Sequence, residues 1–321
     1  MRHRINIKNQ NIRELVAETA LSTDNLIFPL FIKQGDGLKQ EVSSMPGIFR
    51  YSIDQIMPEI EQCLNLGLHT FALFPSIEDE LKDQKATESG NPEGLYPNAI
   101  RAIKSTFPEA VLMTDVAMDP YSSDGHDGLV IDGKIVNDQT LEILANMALV
   151  QAKAGADIIG PSDMMDGRVR VIRETLDQHG LQDVSIMSYT AKYASGYYGP
   201  FRDALDSAPK HGDKKTYQMD PRNRREAITE AELDIEEGAD FLMVKPALAY
   251  LDVIHQLSSL FEVPVAAYNV SGEYAMIKAA DQNGWLDGTQ VMVESLTAIK
   301  RAGAKIILSY FAKEYAQLTV R

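Results

Sequence analysis

The chain has little of what would tie it to an oxidising compartment, a membrane or a nucleic acid. Cys63 is the one cysteine among 321 residues, so no internal disulfide is possible. It falls on an apolar stripe over 60–66, where a lone cysteine serves as a small core residue. Such usage fits a reducing compartment. Basic charge is also short: 31 Lys and Arg stand against 46 Asp and Glu, a net charge of −15. That balance disfavours general binding to nucleic acid or anionic membranes, and leaves room for local positive charge in a pocket for an anionic substrate. No apolar run is long enough to cross a bilayer. The start, Met1 to Asn6, lacks the apolar core of a signal peptide. The expected location is the cytoplasm, or the plastid stroma if the chain is a processed form. No low-complexity segment or Pro/Ser-rich linker divides the chain. No glycine-rich loop follows the first apolar run, as a dinucleotide-binding sheet requires.

What is present is a rhythm. Short apolar runs recur at 26–31, 70–74, 111–115, 157–160, 184–189, 241–245, 265–268 and 306–310. Stretches with helical spacing lie between most of them. Ile53, Ile56, Ile60, Cys63 and Leu64 form one stripe; Leu141, Leu144, Met147, Ala148, Gln151 and Ala152 another; Ala227, Ile228, Ala231, Leu233 and Ile235 a third. Helices alternating with buried strands predict a parallel sheet with helices outside. Gly67, Gly155, Gly238 and Gly303 each precede a strand, as the left-handed caps of helices do. Eight such units predict a (β/α)₈ TIM barrel, with a doubly wound open sheet as the rival. Residues 1–24 are polar and basic, with one amphipathic turn at Ile12, Leu15 and Val16. They read as an N-terminal arm, either disordered or wrapped on a neighbouring subunit. Residues 25–321 read as one catalytic domain.

In such a barrel the chemistry gathers at the carboxyl ends of the strands. The run Phe241-Leu242-Met243-Val244 leads into Lys245, and Pro246 closes it. A desolvated lysine there becomes a neutral amine nucleophile; a lysine that snorkels to water from a strand end has the same sequence. Lys192 follows the neighbouring run, and two adjacent ammonium groups lower each other's pKa. Phe74, Asp115, Ser162, Tyr268, Ser271 and Tyr310 complete a ring around the same mouth. The loop 115–128 holds four aspartates, among them Asp119 and Asp127, and His126. Carboxylates suit a hard cation such as Mg²⁺, and they equally suit the turns of an acidic loop. The stretch 196–218 is rich in Gly, Tyr, Lys and Arg, as an active-site lid is. Arg202, Lys214 and Lys215 on it can clamp a carboxylate, or form a solvated basic loop.

Several longer motifs accompany these residues: Gly125-His126-Asp127-Gly128, Pro161-Ser162-Asp163-Met164-Met165-Asp166-Gly167-Arg168, Tyr198-Gly199-Pro200-Phe201-Arg202, Met243-Val244-Lys245-Pro246 and Val270-Ser271-Gly272-Glu273-Tyr274. Together they resemble the porphobilinogen synthase (5-aminolevulinate dehydratase) family over nearly the whole chain. The resemblance implies condensation of two 5-aminolevulinate molecules to porphobilinogen with loss of two waters, for tetrapyrrole synthesis. It implies a Schiff base on Lys245 for the first substrate and on Lys192 for the second, with Asp115 and Ser162 as proton-transfer support. Ser271 and Tyr310 would hold the first carboxylate, and Arg202, Lys214 and Gln218 the second. Phe74 and Tyr268 would pack around the first substrate. Lys214 departs from an arginine common in relatives, trading a bidentate fork for a point charge. Zinc-using relatives carry cysteines at the positions of Ala117, Asp119 and Asp127, so the resemblance is to an aspartate-rich branch without catalytic zinc. It implies no organic cofactor, an allosteric Mg²⁺ at Glu230, an active-site cation at Asp119 and Asp127 or none, and a homo-octamer with smaller forms. A barrel aldolase with a single Schiff-base lysine and a silent binding subunit are the competing readings. The first needs no second lysine, and the second predicts loss of a key group.

Overall fold

The structure is a computed structural model and describes residues 2–205 and 210–319. Its strands are β1 (Leu26–Lys33), β2 (Lys39–Glu41), β3 (Phe49–Tyr51), β4 (Thr70–Ser76), β5 (Val111–Val116), β6 (Val130–Ile131), β7 (Lys134–Ile135), β8 (Ile158–Pro161), β9 (Ser185–Lys192), β10 (Phe241–Lys245), β11 (Val265–Asn269) and β12 (Ile306–Ser309). Eight of them run parallel in the order β1-β4-β5-β8-β9-β10-β11-β12, and β12 pairs back to β1 through Leu26↔Ile307. The sheet closes, so the open-sheet rival is excluded. Each predicted apolar run became a barrel strand. Six of these strands, β1, β4, β5, β8, β9 and β11, extend past the predicted ends. The most consequential extension is β9, which reaches Lys192 itself.

The helices are α1 (Gln10–Leu15), α2 (Ile53–Asn65), α3 (Leu95–Thr106), α4 (Asn137–Ala154), α5 (Arg168–Gln178), α6 (Gly199–Leu205), α7 (Glu226–Glu237), α8 (Leu251–Leu260), α9 (Ser271–Gln282), α10 (Gly288–Ala302) and α11 (Ala312–Thr319). The three predicted stripes lie on α2, α4 and α7, where Ile56, Ile60, Cys63, Leu144, Met147, Ala227 and Ala231 are buried. Helix α4 ends on Gly155 with φ 112° and α7 on Gly238 with φ 104°, a region that L-residues rarely enter. None of the helices crosses a membrane on length and hydropathy, among the described residues.

Two short hairpins interrupt the repeat. β2 and β3 pair antiparallel at the mouth end of β1, and β6 and β7 close the loop after β5. The aspartate loop is therefore held at both ends. In the proposed arm, α1 buries no residue, and Leu15 and Val16 are exposed. Residue 1 of that arm, 206–209 of the predicted lid and 320–321 of the predicted domain lie outside the described residues.

Candidate active site

Lys192 and Lys245 are direct ladder partners at the carboxyl ends of β9 and β10. Paired residues on neighbouring strands share a face, so both side chains enter the same mouth. A register irregularity between Leu242 and Val244 precedes this pair. Both lysines are almost fully buried, at 5% and 6% exposure.

Their surroundings differ. The Lys245 ammonium lies 4.7 Å from the ring centre of Tyr268 and 5.1 Å from those of Tyr189, Tyr198 and Phe201. It has no hydrogen-bond partner among the described residues. Burial pushes its pKa down to about 7, and the charge of Lys192 pushes the same way. Aromatic faces attract the cation but replace little of its lost hydration. Lys192 instead donates to Asp127 Oδ2 at 3.1 Å and to the Ser162 carbonyl. One lysine is caged by rings, and the other is held by a carboxylate.

Asp127 is shared. Its Oδ1 accepts from Lys214 Nζ at 2.6 Å, and Asp119 Oδ2 accepts from the same ammonium at 3.1 Å. Burial alone would raise the Asp127 carboxyl, but Lys192 and Lys214 outweigh it and hold the pKa far below the usual range. Lys214 loses stability as a cation through burial, yet Asp119 and Asp127 more than compensate and raise its pKa. Gln218 Nε2 also reaches Asp127, at 3.5 Å. The structure thus joins Lys214 and Gln218, predicted on the lid, to Asp119 and Asp127, predicted on the acidic loop. Across the mouth, Ser162 Oγ donates to Asp115 Oδ2 at 3.0 Å. Burial pushes the Asp115 carboxyl up to about 6, against the pull of Lys245 and Lys192.

The remaining predicted groups line the Lys245 side. The hydroxyls of Tyr268 and Tyr310 are 3.0 Å apart. Phe74 meets Phe201 edge to face at 5.1 Å and lies 6.4 Å from Tyr268. Ser271 opens α9, and its Oγ accepts from the Phe201 amide at 3.0 Å. The lid begins with the 3₁₀ turn Gly196–Tyr198 and helix α6, which carries Arg202. Arg202 is half-buried and has no ion pair among the described residues, so its guanidinium is available to a carboxylate. Beyond α6, His126 bonds the Tyr217 hydroxyl and the His211 carbonyl, which fastens the far end of the lid to the acidic loop. A cavity of about 1240 Å³ opens beside this end, lined by residues such as His126, Asp166, Tyr217 and Gln218.

A family model for delta-aminolevulinic acid dehydratase matches residues 1–318. The chain belongs to the delta-aminolevulinic acid dehydratase family. It is accordingly a dehydratase, a lyase. It is 54% identical to the delta-aminolevulinic acid dehydratase of Bradyrhizobium diazoefficiens over 318 residues, covering 99% of this chain and 90% of that one. The Chlamydia pneumoniae dehydratase is 52% identical over 97% of this chain and 94% of its own length. The chloroplastic dehydratase of Oryza sativa is 52% identical over 99% of this chain and 75% of its own. Among solved structures, the Toxoplasma gondii dehydratase in complex with its product porphobilinogen superposes with a TM-score of 0.97 at 50% identity. That match covers 99% of this chain and 91% of the other.

In this dehydratase, some groups around the site carried no sequence signal of function. Tyr189 sits within an apolar stretch and reads as core, yet it faces Lys245, as does Tyr198 of the predicted lid. Arg168 is buried on α5, where Nη1 donates to Asp234 at 2.8 Å and to Glu230 at 2.7 Å, and Nη2 to Ser188 Oγ at 2.9 Å. Glu230, singled out by resemblance alone, is therefore one arm of a buried ion network behind β9. Burial raises the Glu230 pKa, with Arg168 opposing.

Proposed function

We propose that this chain condenses two 5-aminolevulinate molecules through Schiff bases on Lys245 and Lys192. The observation that carries the assignment is the ladder pairing of the two lysines, one of them caged without a counter-ion. At neutral pH an ordinary lysine is about 0.04% neutral amine, whereas a pKa near 7 makes about half of it neutral. Lys245 is thus the better nucleophile and takes the first ketone. Its imine, in a cationic form, draws electrons from the neighbouring carbon. Lys192, held by Asp127, forms the second imine, beside Ser162 and Asp115. Ser271 and Tyr310 receive the first carboxylate, and Phe74 and Tyr268 wall that substrate. Arg202, Lys214 and Gln218 receive the second. Lys214 must then exchange part of its hold on Asp119 and Asp127 for the substrate. An aldolase needs one lysine only, and the second buried lysine speaks against that reading.

The donor set bears on metal. Ala117, Asp119 and Asp127 supply no thiolate, which supports reading the chain as one of the aspartate-rich branch without catalytic zinc. Asp119 and Asp127 are already held by Lys192 and Lys214, and among the described residues no group of three His, Cys, Asp or Glu stands together for a metal. These residues do not fit an active-site cation in this arrangement, and no step is routed through one. Glu230 fits a hydrated Mg²⁺ better. It is a partly exposed carboxylate with one oxygen on Arg168 and Asp166 nearby, and Mg²⁺ keeps most of its waters. We assign Mg²⁺ there an allosteric role. The exposed arm then contacts neighbouring subunits of a homo-octamer, in the cytoplasm or a plastid stroma.

Borohydride reduction with 5-aminolevulinate, followed by peptide mass spectrometry, tests the central assignment. Lys245 is expected to carry the label. An enzyme that turns over with Lys245 unlabelled would not be using this mechanism.

A further inference from the structure

Tyr189 carries a buried hydroxyl that forms no well-shaped hydrogen bond. It lies on β9, three residues before Lys192, and is completely covered. The other tyrosines at the mouth are satisfied. Tyr96 donates to the Leu73 carbonyl, Tyr198 to the Tyr193 carbonyl, and Tyr268 and Tyr310 bond each other. An unsatisfied buried hydroxyl costs stability that phenylalanine would not. The barrel also makes room for this ring. A side chain on Gly160 of β8 would come within 3.3 Å of Tyr189 Cε2 and 2.6 Å of Met113 Cε.

The position of the hydroxyl suggests its use. The Tyr189 ring is one wall of the Lys245 cage, 5.1 Å from the ammonium. Asp115 faces this hydroxyl: after burial, its charge and a side-chain hydrogen bond both help hold the phenol proton, although the contact is looser than a well-formed hydrogen bond. Asp115 is pushed up to about 6, near enough to neutrality to give and take a proton. An acid, a phenol and a reacting amine thus share one buried mouth.

We infer that Tyr189 relays a proton from Asp115 to the hydroxyl that leaves when the carbinolamine on Lys245 collapses to the imine. This rests on the Schiff-base assignment of Lys245 above. In the step, the carbon–oxygen bond breaks and the nitrogen lone pair closes the carbon–nitrogen double bond. Tyr189 gives its proton to the departing oxygen, which leaves as water. Asp115 returns a proton to Tyr189 and becomes a carboxylate. The product is an iminium facing a carboxylate, so charge balances. The spare hydrogen-bonding capacity of Tyr189 is filled only when that oxygen is present.

The test is Tyr189→Phe, which keeps the ring and removes the hydroxyl. Both enzymes are mixed with 5-aminolevulinate and borohydride, and label at Lys245 is followed in time. The expected result is the same endpoint, reached about 10²-fold more slowly, with kcat falling in parallel. KM should stay within about threefold, because a group acting in a transition state need not bind the ground state. The melting temperature should change little, since no well-formed hydrogen bond is lost. A variant with kcat and trapping rate within threefold of the parent overturns the relay. If Tyr189→Phe proves less stable, Tyr189→3-fluorotyrosine decides: a changed trapping rate supports the relay, and an unchanged one overturns it. Parent enzyme without label at Lys245 overturns the Schiff-base assignment itself, and the relay with it.

Discussion

Replacing Lys192 by glutamine should move the titration of Lys245 upward by about one unit. The two side chains leave paired positions on strands about 4.8 Å apart. Two ammonium groups 5–6 Å apart in a medium of effective dielectric about 20 repel by about 3 kcal/mol. That corresponds to about two pKa units. Asp127 contacts Lys192 and cancels part of its field, which leaves about one. Burial is the larger cause of the depression and stays. The acid limb of Lys245 should therefore move from about 7 to about 8, far short of the ordinary 10.5. On the proposed mechanism turnover needs both lysines, so the assay must not depend on it. Single-turnover borohydride trapping at Lys245, read by mass spectrometry across pH, isolates the first imine. At pH 7 the trapping rate should fall about fivefold, following the neutral fraction from about a half to about a tenth. A midpoint that stays near 7 would show that Lys192 does not act on Lys245. A midpoint near 10.5 would show that the aromatic cage does not.

Other perturbations test the frame. Arg168→Ala strands Asp234 in the core and should cost about 3–5 kcal/mol, read by denaturant unfolding; a loss below about 1 kcal/mol would contradict the network at β9. Gly272→Ala places a methyl 2.5 Å from the Tyr197 carbonyl oxygen and 2.8 Å from its Cα. The root of the lid must shift, so KM should rise about tenfold or more while the melting temperature changes little; an unchanged KM refutes the coupling. A zinc-selective chelator should leave activity intact, because Cys63 is the one thiol and is buried on α2. Withdrawing Mg²⁺ should lower both activity and sedimentation coefficient, and Glu230→Gln should abolish that response. Restoration of activity by zinc alone would refute this assignment.

The barrel was legible because its signals are local. Each strand is an apolar run, each helix a stripe, and the glycine caps mark the return at Gly155, Gly238 and Gly303. Lys245 was legible for the same reason, since Pro246 marks the strand end. The partners of Lys214 were not. They depend on where the lid lands, and a basic loop has the same composition whether it faces water or Asp127. Tyr189 was invisible for another reason. A tyrosine in an apolar strand looks like core until the closed barrel shows that its oxygen forms no well-shaped hydrogen bond. Arg168 carried charge into a buried position, which no periodicity announces, and only the packing of α5 and α7 on β9 explains it. The expectation of an allosteric Mg²⁺ at Glu230 and of an octamer came from resemblance alone, because such expectations concern surfaces that one chain does not complete.

The solitary thiol has a practical consequence. Cys63 is fully covered, and burial pushes its pKa up to about 12, with Glu59 adding to the effect. Thiolate is the reactive form, so the native chain is nearly silent to maleimide dyes. A cysteine introduced at exposed Lys215, beside the lid lysine Lys214, would be the one site to take a fluorophore. The protein thus offers a ready background for watching the lid open and close, molecule by molecule, without first stripping out native sulfur.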